Sequence, residues 1–206
     1  MPDALIVADA FHVVVNINRI LDRKRIQVMK RYLELDIPNL NYTNDFGYLL
    51  KRFSWMIRYS PNKINAKTYY IKKYQMYVYK NDLLTHLLSS DPELKEIYEL
   101  RNVYQTFNRR TKMIEAKDEL EKLIEVFIKH KIPEVREYGR LLYRWKKEII
   151  NSFNTYDVVR YSNGKLESRN RQIKTILRNG FGYKNFSRFR ARVFYSINKD
   201  VPIKIK

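Results

Sequence analysis

Hydrophobic and polar positions alternate along this chain mostly with a helical period. Ala4-Leu5-Ile6-Val7-Ala8 is a short unbroken apolar run and reads as a buried strand that Asp9 ends. From Ala10 the period changes. Ile17, Ile20 and Leu21, then Val28 and Tyr32, mark the inner side of a helix, while Arg19, Arg23, Lys24, Lys30 and Arg31 give it a basic face. Pro38-Asn39 breaks it. Asp45 to Tyr59 predicts a second helix, with Phe46, Leu49, Leu50, Phe53 and Ile57 inside, stopping before Pro61. Asn65 to Leu88 predicts a third, with Tyr70, Tyr74, Tyr77 and Val78 inside, although Met76 to Tyr79 alone also reads as strand.

Asp91-Pro92-Glu93 is a strong helix start: a capping acid, proline at the first position and an acid in the first turn. Leu94, Ile97, Tyr104 and Phe107 follow it, and Asn108 to Lys112 bends or breaks the helix. Leu120, Leu123, Phe127 and Ile128 carry the next one. Pro133-Glu134 opens another, with Val135, Tyr138, Leu142, Trp145 and Ile149 inside. Residues 20–150 therefore predict an antiparallel helical bundle whose aromatic stripes are core rather than a base-stacking platform. After a polar connection, Asn163-Gly164 signals a turn, and Leu166, Asn170, Ile173 and Leu177 resume helical spacing. Asn179-Gly180-Phe181-Gly182 ends that helix. A last helix from about Ser187 places Phe186, Phe189, Val193, Phe194 and Ile197 inside, and the tail frays from Lys199.

Charge narrows the class of partner. Forty-one Lys and Arg against 22 acids leave a net charge of +19, beyond what solubility needs, and point to a polyanion: nucleic acid first, an anionic membrane surface second. No segment approaches the roughly 18 apolar residues of a transmembrane helix. With no cysteine, disulfides and thiolate metal sites are excluded and an intracellular location is favoured. His12, His86 and His130 lie too far apart in sequence for a local histidine metal motif.

Two acids stand out. Asp9, at the end of the apolar run, is either a helix N-cap, the commoner role, or a ligand at the carboxyl end of a strand. His12, one turn on, reads as an orienting or core residue. Glu167 stands in the first turn of its helix and shares a face with Arg171, Lys174 and Arg178. By spacing, the favoured reading is a Glu167–Arg171 surface pair worth about 0.3–0.5 kcal/mol. The functional reading is an acid that binds Mg2+ while the following turns hold phosphates.

Two stretches resemble the ISL3-type bacterial insertion-sequence transposases, a group of the DDE transposases. The first is Ile6-Val7-Ala8-Asp9-Ala10-Phe11-His12-Val13. The second begins Tyr161-Ser162-Asn163-Gly164-Lys165-Leu166-Glu167 and continues through Asn170, Ile173 and Lys174 to Gly182-Tyr183-Lys184-Asn185-Phe186 and Phe189-Arg190. Ser60-Pro61-Asn62 is similar too. Ser168 stands where that family often has glycine, and Ala10 where it often has arginine.

The resemblance implies a mainly α protein. Residues 1–22 and 151–198 would form a partial RNase H-like α/β core of one short strand and flanking helices. Residues 23–150 would be a helical insertion and 199–206 a tail. It implies Asp9 and Glu167 as catalytic acids and ligands of Mg2+ or Mn2+. It also implies Arg169, Arg171, Lys174, Arg178, Lys184, Arg188 and Arg190 as DNA contacts, with His12, Asn163, Gly164 and Asn170 in orienting roles. DNA, as transposon ends and target, is the implied partner, with a homodimer or a full-length transposase beside it and no membrane. The implied location is the bacterial cytoplasm, at the nucleoid. The family's first acid lies on an earlier strand, upstream of the Asp9 segment. The expectation is thus a carboxyl-terminal portion with two acids of three, incomplete as an enzyme by itself. The alternatives are a non-catalytic basic remnant that binds DNA or a full-length transposase, and an RNA-binding protein that uses its tyrosines.

Overall fold

A computed structural model describes residues 5–61, 64, 67–156, 159–160 and 164–198. The chain divides into two compact units, Met1–Tyr161 and Ser162–Lys206. The expectation of a mainly helical protein with little sheet holds: ten α-helices and two two-stranded antiparallel ribbons are present among the described residues.

In the first unit, α1 (Ala10–Glu34) is the central rod, and it packs on α2, α5 and α7. It buries Val13, Ile17, Leu21 and Val28, a four-four-seven spacing that keeps one stripe inward. Arg25 falls on the same stripe. Its buried guanidinium donates to Asp22 Oδ1 at 2.8 Å and to the Leu50 carbonyl at 3.0 Å, which ties α1 to α2 (Phe46–Arg52). Asp45 caps α2 by accepting from Tyr48 N at 3.1 Å. The chain breaks at Phe53 and resumes as α3 (Ser54–Arg58), so the single helix expected over 45–59 is two short ones.

Two expectations are corrected here. Residues 5–8 form no strand: Ile6 is 66% exposed, the Ala8 N–H donates to the Glu148 carbonyl at 2.9 Å, and Asn151 Nδ2 donates to the Ile6 carbonyl at 2.9 Å. An apolar run becomes a strand only beside another strand, and this one finds a helix end instead. The helix expected over 65–88 is a hairpin followed by a shorter helix. β1 (Thr68–Ile71) pairs with β2 (Met76–Tyr79), Thr68 opposite Tyr79 and Ile71 opposite Met76. Alternating tyrosines suit a half-buried ribbon, and Gln75 turns the chain with φ 50°. Only then does α4 (Lys80–Ser89) begin.

The predicted start at Asp91 is observed. Its carboxylate accepts from Leu94 N at 3.0 Å, and α5 (Pro92–Arg110) runs to the expected break. α6 (Ala116–Ile128) crosses α7 (Pro133–Arg144) so closely that a Cβ on Gly139 would lie 2.7 Å from Ile128 N. Val135, Tyr138, Leu142 and Ile149 are buried as expected. Trp145 is not: at 47% exposure it sits in the break before α8 (Lys146–Asn151), which shifts the helical phase. A two-residue ribbon, β3 (Thr155–Tyr156) with β4 (Val159–Arg160), closes the unit.

The second unit is a helical hairpin, α9 (Gly164–Asn179) against α10 (Phe186–Ile197). The connection is built from paired backbone bonds. Gly182 N donates to Leu177 O at 3.3 Å and Phe181 N to Arg178 O at 3.1 Å, the Schellman arrangement. Its left-handed residue is Phe181, φ 52°, where glycine is usual. Gly180 leaves room for the Tyr183 ring, which a Cβ would approach to 2.4 Å, and Tyr183 packs on Phe189 with centroids 5.2 Å apart. Asn185 caps α10 through Arg188 N at 3.1 Å. Phe186 and Phe194, expected inside, are exposed, while Phe189, Val193 and Ile197 are half-buried. Two helices bury one seam, which cannot cover every apolar position of both.

Candidate metal and nucleic-acid sites

Each predicted acid stands at the start of a helix, and the two belong to different units. Asp9 is the N-cap of α1, its Oδ1 accepting from Phe11 N at 2.8 Å. This is the capping geometry that the sequence allowed. His12 lies on the next turn. Its carbonyl accepts from Asn16 Nδ2 at 3.0 Å, and its ring meets Phe11 edge-on at 5.6 Å. Glu167 is exposed in the first turn of α9, which Gly164 opens, where a carboxylate complements the positive end of the helix. Asn163 lies outside the described residues.

The predicted cations are all on the surface. Arg171, Lys174 and Arg178 follow Glu167 at intervals that keep them near one face of α9. Lys184, Arg188 and Arg190 are exposed in and after the inter-helix loop, and Arg190 lies 5.5 Å from the Phe194 ring centre. Arg169 also has a structural task. It donates to Gln172 Oε1 at 3.3 Å and to the Ile197 carbonyl at 3.2 Å, joining the two ends of the hairpin. Asn170 is exposed on α9.

Ionisable groups that sequence reading did not single out are concentrated in the first unit. Burial raises the Asp22 pKa, but hydrogen bonds and charge from Arg25 and Arg58 outweigh it and leave the group below the usual range. Asp45 behaves likewise: desolvation is outweighed by Lys73, by the Tyr74 hydroxyl at 2.8 Å and by Tyr48 N, and its pKa falls. Arg101 has no exposed surface. Its guanidinium donates to three successive carbonyls, Ile57 at 2.9 Å, Arg58 at 2.8 Å and Tyr59 at 3.0 Å. Burial lowers its pKa, with Tyr98 opposing. A cation at the end of α3 complements the helix dipole.

Carboxylate oxygens are the donors that Mg2+ and Mn2+ prefer, so Asp9 and Glu167 fit such an ion in chemistry. Within the described residues, no three acidic or histidine side chains gather as a ligand set. None of the described helices is long and apolar enough to cross a membrane.

Comparison with known proteins finds a match to the DDE ISL3 family model, described as a transposase, over residues 1–193. No curated protein and no solved structure matches the chain.

Proposed function

The chain belongs to the ISL3 family of DDE transposases, and on that premise we propose that it binds DNA and serves metal-dependent strand cleavage and transfer. The observation that carries this reading is the family match, which runs continuously through Asp9 and Glu167. In this reading those two acids hold a divalent ion, Mg2+ or Mn2+, and the RNase H-like core is drawn from residues 1–22 and 151–198 around the helical block. When bound, the ion supplies Lewis-acid polarisation of the scissile phosphate.

The chain's own residues do the rest. The Asp9 cap fixes its carboxylate against the first turn of α1. Arg171, Lys174, Arg178, Lys184, Arg188 and Arg190 meet backbone phosphates, and Arg169 does so with the N–H groups its helix-joining bonds leave over. Each phosphate contact adds about 0.9 to the slope of log affinity against log salt, so binding weakens steeply with ionic strength. DNA ends and target are the proposed partners, with a second copy or a full-length relative completing the assembly in the cytoplasm.

The test is a supercoiled-plasmid nicking assay in Mg2+ or Mn2+, run beside Mn2+ binding followed by electron paramagnetic resonance. Glu167→Gln and Asp9→Asn are expected to abolish the nick and weaken Mn2+ binding about tenfold or more. Asn keeps the helix cap, so Asp9→Asn separates metal loss from unfolding. Wild-type protein that neither nicks DNA nor binds Mn2+ would overturn the catalytic half of the reading.

A further inference from the structure

Beside the start of α1 the first unit has an open cleft of about 310 Å3. One wall is Ala10, Phe11 and Val14 of α1. The other is Gln105, Asn108 and Arg109, the face of α5 that continues upward from Arg101. Arg58, Tyr59 and Ser60 complete it. Arg101, by gripping the carbonyls of residues 57–59, fixes the backbone on which Ser60 stands.

Ser60 is the informative residue. It is only 8% exposed, it lines the cleft, and among the described residues no group hydrogen-bonds its hydroxyl. That hydroxyl can bond a polar atom that enters the cleft. The surroundings say which kind. Arg109 adds a guanidinium that donates to the Gln105 carbonyl at 3.4 Å, which leaves most of its donors open. Arg58 shares its charge with Asp22 at 3.3 Å. The two guanidiniums favour an anion.

The rest of the lining is aromatic and amide. Phe11 is 66% exposed and lies flush with the cleft, and Tyr59 is half exposed and braced by Trp55, ring centres 5.5 Å apart. Exposed rings beside cations are how proteins take unstacked bases. We propose that this cleft takes one unstacked nucleotide of a DNA strand, its phosphate held by Ser60, Arg58 and Arg109 and its base laid on Phe11. Gln105 and Asn108 offer amides to the base edge. The cleft's size admits a nucleotide and excludes a duplex, so the occupant is a displaced base and not a paired one.

The inference rests on the DNA-binding reading, and the test separates the two. The full chain is titrated with two duplexes that differ only in one unpaired base, 2-aminopurine, in a single-base bulge. The bulged duplex is expected to bind about tenfold more tightly, with its fluorescence quenched by stacking. Phe11→Ala is expected to bring the two affinities together and abolish the quench, and Phe11→Trp to restore both. Arg109→Gln is expected to lower the salt slope for the bulged duplex by about 1. Equal binding of both duplexes by the wild type, without quenching, overturns the cleft and leaves DNA binding standing. Binding of neither duplex overturns both.

Discussion

The two units use the same local chemistry and reach different degrees of burial. In the first, Leu49, Leu50, Leu83, Leu87, Leu94, Tyr104, Leu120, Phe127 and Leu142 have no exposed surface, and each helix is placed by what it buries. In the second, no described side chain of α9 or α10 is buried, and Phe181 is fully exposed. There the hairpin is set by its ends: the Asn185 cap, the Schellman bonds, the Gly180–Tyr183 fit and the Arg169 tie to Ile197. Side-chain changes should therefore act through cavities in one unit and through backbone signals in the other.

The largest effect is expected in the first unit. Leu142→Ala should cost about 2–5 kcal/mol in urea unfolding, since it removes a fully buried side chain. Next comes Asp45, which accepts from Tyr48 N, Lys73 and Tyr74. Asp45→Ala should cost about 2 kcal/mol. Because the folded-state pKa of Asp45 is depressed, its contribution is present above the unfolded value of about 3.9 and is lost as pH falls through the folded one. An acid titration of stability in wild type against Asp45→Asn checks the sign: the variant should show the shallower loss below about pH 4.

In the second unit the effects are smaller and one is reversed. Asn185→Ala should cost about 1 kcal/mol, read as faster amide exchange in the first turn of α10. Phe181→Gly should instead stabilise the hairpin, by up to about 1 kcal/mol, because a fully exposed ring gives nothing to packing while its left-handed backbone is costly. A loss at Phe181→Gly would mean that the two units are less different than their burial indicates.

What the sequence disclosed follows the same division. Starts written in adjacent residues were readable: Asp91-Pro92-Glu93 opens α5 as expected, and Asp9 caps α1. Features that depend on distant partners were not. The run at 5–8 has the composition of a strand, but its bonds go to residues 148 and 151. The tyrosines of 68–79 fit either period until Gln75 turns the chain. Trp145 kept the heptad rhythm in the sequence while a helix break took it out of phase. Near the candidate sites, the Asp9 cap and the exposed face of Arg171, Lys174 and Arg178 were legible from type and spacing. Arg101 and Ser60 were not, since nothing local says that an arginine will close on three carbonyls more than 40 residues earlier. The rhythm of 101, 105, 108 and 109 was the one available sign.

The Tyr138 hydroxyl donates to the Val13 carbonyl at 3.4 Å across 125 positions of sequence. On the ribosome, α1 is finished long before α7 exists. Its inner stripe of Ile17, Leu21 and Val28 must then wait uncovered until later helices arrive. Made before α5 and α7, α1 is fully seated only when they arrive, and over that interval a nascent chain is at its most prone to associate with its neighbours or to need a chaperone.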